Sequence, residues 1–439
     1  MESKTKGLIG IIGMVTILII IALSVVNIAS AKKTIAKVEV KDETGCVFMT
    51  TFGEQSSEGY AKFKLRDNVQ PVVNNGLNWL ANAQLENGGY GAGSHNNQRE
   101  MNPHAVNADP ATTAMVAMAF LRSGSNLKRG AYQGALKSAL NFLLEQVEST
   151  SKDDPYITKE KGTQIQAKLG QNIDAVLTAQ FFSNMLKEDL DKSTKKRIEK
   201  CLDICVDKIQ NATGKDGRVT GAGWAGVLQS GLATSALESA ESVGATLDEI
   251  VVTNQKEYLK SNYDEESKSV KTTDGAGIIL YSVSNSARGS AKDARKAREL
   301  IDKAKKEGKL EEDDKVSVEN LKDIGIPESE AIAYTSSYNI YNASKQKAQE
   351  NDVMSGFGNN GGEEFLSFLQ TGESMVVNDD NDWKKWYDDV SGRLMKIQNN
   401  DGSWNGHHCI TSPVFCTATS LLILSIENDI DNLRQTGED

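Results

Sequence analysis

The chain is poor in the groups on which most side-chain chemistry and most nucleic-acid binding depend. Its 439 residues include four histidines and five cysteines, and aromatic residues make up only 6%. So few histidines leave few ready general acids or bases near neutral pH. So few aromatics leave little with which to enclose a cation. Basic residues are also outnumbered, 49 Lys and Arg against 60 Asp and Glu, for a formal charge of -11. Residues 1–31 carry Glu2, Lys4 and Lys6, a net +1, so the remainder stands at -12. A basic stripe of the kind that follows a phosphate backbone is therefore not expected, and no nucleic-acid partner is assigned. The acidity serves solubility. Hydrophobic residues, at 39%, suffice for a large core and one main domain.

Five cysteines leave at least one unpaired within the chain, and Cys46 is the natural odd one. Cys201 and Cys205 lie one helical turn apart, a geometry awkward for a mutual bond, so both are expected as buried thiols. Cys409 and Cys416 are expected as a disulfide closing a short loop in an exported protein, with free thiols and a metal site as the alternatives.

What is present begins with an uncharged, largely apolar run from Gly7 to Ser30 behind Lys4 and Lys6, ending in Ala29-Ser30-Ala31. That is the pattern of a signal peptide, although the run is also long enough to span a bilayer as an N-terminal membrane helix. Residues 1–31 are thus read as a signal peptide or anchor, and the protein as exported, either extracytoplasmic or held at the membrane. Residues 32–68 alternate charged and apolar positions, as in Tyr60-Ala61-Lys62-Phe63-Lys64-Leu65, which suits a short extended strap.

From about residue 69 the pattern is helical. Asp109-Pro110 and Ser412-Pro413 each place a capping residue before a proline of the first turn. With 131–148, 171–188, 193–211, 221–243, 246–261, 273–286, 327–346, 362–371 and 384–399 they make about a dozen helices. The charge-dense stretch near 288–324 is expected as a solvated helical insertion at the surface, and 429–439 as a polar tail.

Two distant segments share one construction. In the first, Trp79 on a helix leads to Gln84, Gly88 and Tyr90; in the second, a helix from Trp386 leads to Gln398, Gly402 and Trp404. The glycine makes the turn, the aromatic folds back, and the glutamine satisfies backbone groups of the turn or of the next helix. This helix-Gln-x-x-x-Gly-x-aromatic form resembles the glutamine-tryptophan motif of the prenyltransferase and squalene-oxidase repeat proteins, the squalene-cyclase-like superfamily that includes terpenoid cyclases and protein prenyltransferases. The resemblance covers about residues 70–428 and implies an all-α fold, an α/α toroid of about six inner and about six outer helices.

The resemblance says less about chemistry. Cyclases of the superfamily use an Asp-x-Asp-Asp acid, and the nearest cluster here, Asp379, Asp380 and Asp382, has another order. Prenyltransferase β-subunits use Asp, Cys and His on zinc; His407, His408 and Cys409 are suitable ligand types without a closed zinc spacing. His104 is a further candidate acid or base, and His95, Asp109 and Trp224 are candidate ligand contacts at the toroid mouth. No cofactor is expected. The reading is a toroid of unassigned activity that takes a hydrophobic small molecule, another ligand or a protein partner through its cavity or rim. An isoprenoid-acting enzyme and a glycan-processing or glycan-binding toroid are the alternatives, the former needing an apolar, aromatic cavity and the latter, for hydrolysis, paired carboxylates across a groove.

Overall fold

The computed structural model describes residues 68–437 apart from 152, 222 and 357–360. The expected export segment and all but the end of the strap lie outside the described residues. The chain divides into two units, 1–47 and 48–439, and the description concerns the second. Among the described residues no helix is long and apolar enough to cross a membrane.

The fold is all-α. Sixteen helices are described, and the one sheet is a two-stranded hairpin, β1 (Tyr263–Asp264) and β2 (Ser269–Val270). In order the helices are α1 (Gln70–Asn82), α2 (Pro110–Arg122), α3 (Gln133–Glu148), α4 (Gln164–Leu169), α5 (Ile173–Leu186), α6 (Lys192–Ala212), α7 (Gly226–Glu241) and α8 (Glu249–Lys260). There follow α9 (Ile279–Lys306), α10 (Val318–Asp323), α11 (Glu328–Ala348), α12 (Asn351–Met354), α13 (Gly362–Val377), α14 (Trp383–Lys396), α15 (Pro413–Leu424) and α16 (Ile430–Thr436).

Burial separates two kinds of helix. Every residue of α2, α13 and α15 is buried, as expected of helices packed on all sides. Helix α6 instead buries one stripe, Ile198, Cys201, Leu202, Cys205, Val206, Lys208 and Ile209, and solvates the rest. The fully packed class is rich in small residues, which let neighbours approach: a Cβ on Gly372 of α13 would lie 2.4 Å from the Trp386 ring of α14.

The packing order is cyclic. Helix α2 packs on α5, α5 on α7, α7 on α9, α9 on α13, α13 on α15, and α15 on α2 again. Each has an outer partner: α3 against α2, α6 against α5, α8 against α7 and α9, α11 against α9, α14 against α13, and α1 against α15. A buried network joins the C-terminal ends. Arg122, last residue of α2, donates to Glu373 of α13 at 2.7 Å, to Asp429 at 3.0 Å and to the carbonyl of Leu422 at 3.1 Å.

Two expectations are corrected here. The stretch from 288 is no surface insertion at its start, because residues 288–306 continue the 28-residue helix α9. Its face of Ala287, Ala291, Ala294 and Ala297 is buried, and Arg288 pairs with buried Glu238 at 2.5 Å. Nor is 429–439 a free tail: Asp429 is buried in the Arg122 network, and α16 follows.

Candidate functional site

The two repeat corners adopt the geometry that their spacing implies. Gln84 Nε2 donates to Gly88 O at 2.8 Å and to Ala135 O, at the start of α3, at 2.9 Å. Gln398 Nε2 donates to Gly402 O and to Val72 O, at the start of α1, both at 2.9 Å. Tyr90 N and Trp404 N then donate to the hydroxyls of Thr113 and Thr417 on the following packed helix, at 2.9 and 2.8 Å. The glycines are obligatory. Gly88 and Gly402 have φ of +82° and +96°, and a Cβ on either would sit 2.7 Å from a carbonyl oxygen of the next helix.

A third corner went unread in the sequence. Thr213 and Gly217 hold the glutamine and glycine positions, with Val219 in place of the aromatic. Gly217 N donates to Gly214 O at 2.9 Å, and Val219 N donates to the Ser230 hydroxyl at 3.3 Å, where the other corners use threonine. Asp216-Gly217, matching Asp401-Gly402, was the available signal.

These corners and the loops that follow them gather the starts of the packed helices at one end. Ala111 N of α2 donates to Asp174 of α5, Gly362 N of α13 donates to Ile410 O before α15, and Ala225 N before α7 donates to Lys168 O of α4. Gln164 Oε1 accepts Thr411 N and Ser412 N at 2.8 and 3.2 Å. Gln98 Oε1 accepts Cys409 N at 3.1 Å.

Within this rim lies a compact polar cluster. Glu363, the second residue of α13, is 2% exposed; its Oε2 accepts Ile410 N at 3.3 Å and its Oε1 has no hydrogen-bond partner. Burial pushes its carboxyl up to about 7, against the backbone donors and nearby Lys168, which hold it down. The Cys409 thiol lies beside Glu363 and Lys168, and burial and the Glu363 charge push it up to about 11, with Lys168 opposing. Its Sγ is 2.6 Å from His408 Nδ1. Tyr281 at the start of α9 faces the same carboxyls, and burial and their charge raise its pKa. Gln164 Nε2 is buried without a partner.

The sequence candidates distribute unevenly around it. Half-buried His95 stands close to Lys168 and His408, and burial first, then their charge, lowers its pKa; its Nδ1 lies 3.0 Å from Gln98 Nε2. His104 is exposed in a single 3₁₀ turn. Trp224 is 41% exposed; its ring lies 5.0 Å from Lys168 Nζ and lines a pocket of about 210 Å³ with Arg218, Tyr258 and Asp274. Asp109 and Asp174 form a buried carboxyl pair. Burial raises both, and each is also raised by a neighbouring carboxylate, Glu160 for Asp109 and Asp109 for Asp174. Asp109 accepts Thr112 N, Ala92 N and the Thr112 hydroxyl, while Asp174 accepts Ala111 N and Gln166 Nε2, so the pair braces helix starts.

Two site expectations are corrected. Cys409 and Cys416 are free thiols, Cys416 Sγ donating to Ile410 O at 3.5 Å. The Asp379–Asp382 cluster follows the C-terminal end of α13, away from the rim, and its carboxylates are spent on ion pairs. Asp380 accepts Tyr341 Oη at 2.8 Å and Lys345 at 2.7 Å, Asp382 accepts Lys345 at 3.1 Å, and Asp379 pairs with Arg434. His407, His408 and Cys409 do not assemble with other ligands: among the described residues no group of three or more His, Cys, Asp or Glu is placed to hold a metal ion. Glu363, Lys168, Gln164, Gln98 and Tyr281 had no local motif to mark them. Compared with protein-family models, with curated proteins and with solved structures, the chain finds no match.

Proposed function

We propose that the closed circuit of packed helices is an α/α toroid of the prenyltransferase and squalene-oxidase repeat type, and that it binds a small polar ligand at the rim where Glu363, Lys168, Gln164 and Cys409 meet. Residues 7–30 take it out of the cytoplasm or hold it at a membrane. The single observation behind the binding site is the buried Glu363 carboxyl, with one oxygen unpartnered, near the Lys168 ammonium and holding the backbone amide next to the one held by Gln164, whose Nε2 is also unpartnered. A buried polar group left without a partner costs about 1–3 kcal/mol, which a ligand carrying both a donor and an acceptor recovers.

The polar interior speaks against an isoprenoid substrate. Thr178, Gln229, Ser282, Asn285, Gln370 and Ser420 all lie buried on the circuit's helices. A Cβ on Gly231 of α7 would stand 1.5 Å from Asn285 Oδ1 and 2.9 Å from Gln370 Oε1, so three helices meet there through amide groups. A carbocation needs aromatic walls instead. Exposed Trp224 favours a second reading, glycan binding, since its ring offers an apolar face beside Arg218 and Asp274.

The test is native mass spectrometry of residues 32–439 purified from the native host, with extraction and identification of anything bound. The proposal expects a polar small molecule on the wild type that is missing from Glu363→Gln. A bound isoprenoid, or a ligand retained equally by both proteins, would sink it.

A further inference from the structure

The rim holds a thiol with an imidazole against it. Cys409 Sγ and His408 Nδ1 are 2.6 Å apart, a contact that the other three described cysteines, buried on α6 and α15, do not have. Cys409 also has φ of +65°, a left-handed conformation that costs a non-glycine residue energy and persists only where surrounding contacts impose it. Those contacts are present. Gln98 Oε1 holds the Cys409 amide at 3.1 Å, Thr411 Oγ1 donates to Gln98 O at 2.7 Å, Glu363 holds the Ile410 amide, and Gln164 holds those of Thr411 and Ser412. Two loops and the starts of helices α4 and α13 thus fix one sulfur beside one ring nitrogen, one carboxyl and one ammonium.

We infer that Cys409 is a nucleophile for acyl transfer, with the His408 imidazole as its base and a small ester or thioester as its substrate; the inference rests on the rim site proposed above. The thiol proton passes to His408 Nδ1 as Sγ attacks the acyl carbon. The bond from that carbon to the leaving oxygen or sulfur breaks, and His408 returns the proton to the leaving group. Water then cleaves the acyl-thioester, which releases the acid and restores the thiol. No electrons change hands. Lys168 stabilises the forming thiolate by charge, and Glu363 assists only while neutral, because its carboxylate would repel the sulfur anion. The burial of Cys409, 2% exposed beneath exposed His407 and His408, restricts the site to small acyl groups.

The experiment treats the full chain, carrying Cys46→Ser, with p-nitrophenyl acetate. It reads the p-nitrophenolate burst and locates the acetyl group by peptide mass analysis. The expected result is one equivalent released per chain and acetyl on Cys409, with the rate about a hundredfold lower in His408→Ala. Circular dichroism and thermal melting establish that each variant is folded. Absence of acetyl from Cys409 in the folded wild type, or equal rates for His408→Ala and wild type, overturns the inference. If the thiol stays silent while the host ligand is still lost in Glu363→Gln, only the nucleophile is wrong. If neither effect occurs, the rim site itself is wrong.

Discussion

Gln398 donates its side-chain amide to the carbonyl of Val72 at 2.9 Å, across 326 positions of the sequence. Gln84 makes the same bond to Ala135, only 51 positions away, because there the next outer helix is also next in the chain. The last corner is therefore completed by the first helix. That contact, with Trp79 Nε1 donating to Asp401 at 3.1 Å, joins the two ends of the helical body. It also brings the loop with Cys409 against the loop with Gln98 and the start of α4 at Gln164, so the rim cluster depends on closure.

Removing a corner glutamine takes away its bonds to the turn carbonyl and to the next helix. Gln398→Ala and Gln84→Ala are each expected to lower unfolding free energy by about 1–3 kcal/mol, as read by urea denaturation. Gly402→Ala should cost more than either, since it combines a φ of +96° with a 2.7 Å clash against Asn75 O. A neutral Gly402→Ala would contradict the corner geometry.

The Arg122 network gives a second prediction. Arg122→Met leaves the buried carboxylates of Glu373 and Asp429 facing each other without a cation, and the expected loss is about 3–5 kcal/mol. Adding Glu373→Leu and Asp429→Leu should recover most of it, because replacing a whole buried ion cluster is far cheaper than breaking one. The triple variant's denaturation midpoint decides the matter.

Acidity gives a third. The folded-state pKa of Glu363 is raised to about 7, so its contribution to stability is full below the ordinary carboxylate range and is lost as pH rises toward about 7. Glu363→Gln should therefore gain stability relative to the wild type across that window, by up to about 1.4 kcal/mol per pH unit. Parallel stability curves for the two proteins would place the carboxyl in solvent.

The acidic cluster at the other end gives a fourth. Asp382→Asn removes one exposed partner of Lys345 and should cost no more than about 1 kcal/mol. Asp380→Asn, in its buried bond to Tyr341, should cost more. Neither should change the ligand retained at the rim, as measured by native mass spectrometry.

The helices and corners were legible in the sequence where local chemistry dictates them. Asp109-Pro110 and Ser412-Pro413 do begin α2 and α15, and Gln84 and Gln398 do hold the next helix. The third corner escaped because Thr213 and Val219 replace the polar and aromatic residues by which a corner is recognised. Helix α9 was misread because its buried stripe is alanine, whose weak apolar signal is masked by flanking lysine and glutamate. The candidate site was the least legible part. Glu363 reads as an ordinary first-turn acid, and nothing local ties it to Cys409, which the packing of α13 on α15 brings near, or to Lys168, which comes from α4.

Closure is thus the claim from which the rest follows, and a distance tests it most directly. Spin labels are placed at exposed Asn74→Cys on α1 and Asn400→Cys in the last corner, with Cys46 and Cys409 replaced, and read by pulsed electron resonance. The account predicts one narrow distribution at the short end of the accessible range, because Asn75 O comes within 2.7 Å of a Cβ placed on Gly402. A broad distribution, or a separation several times longer, would mean that the helices wind as an open array, and the rim site would fall with the ring.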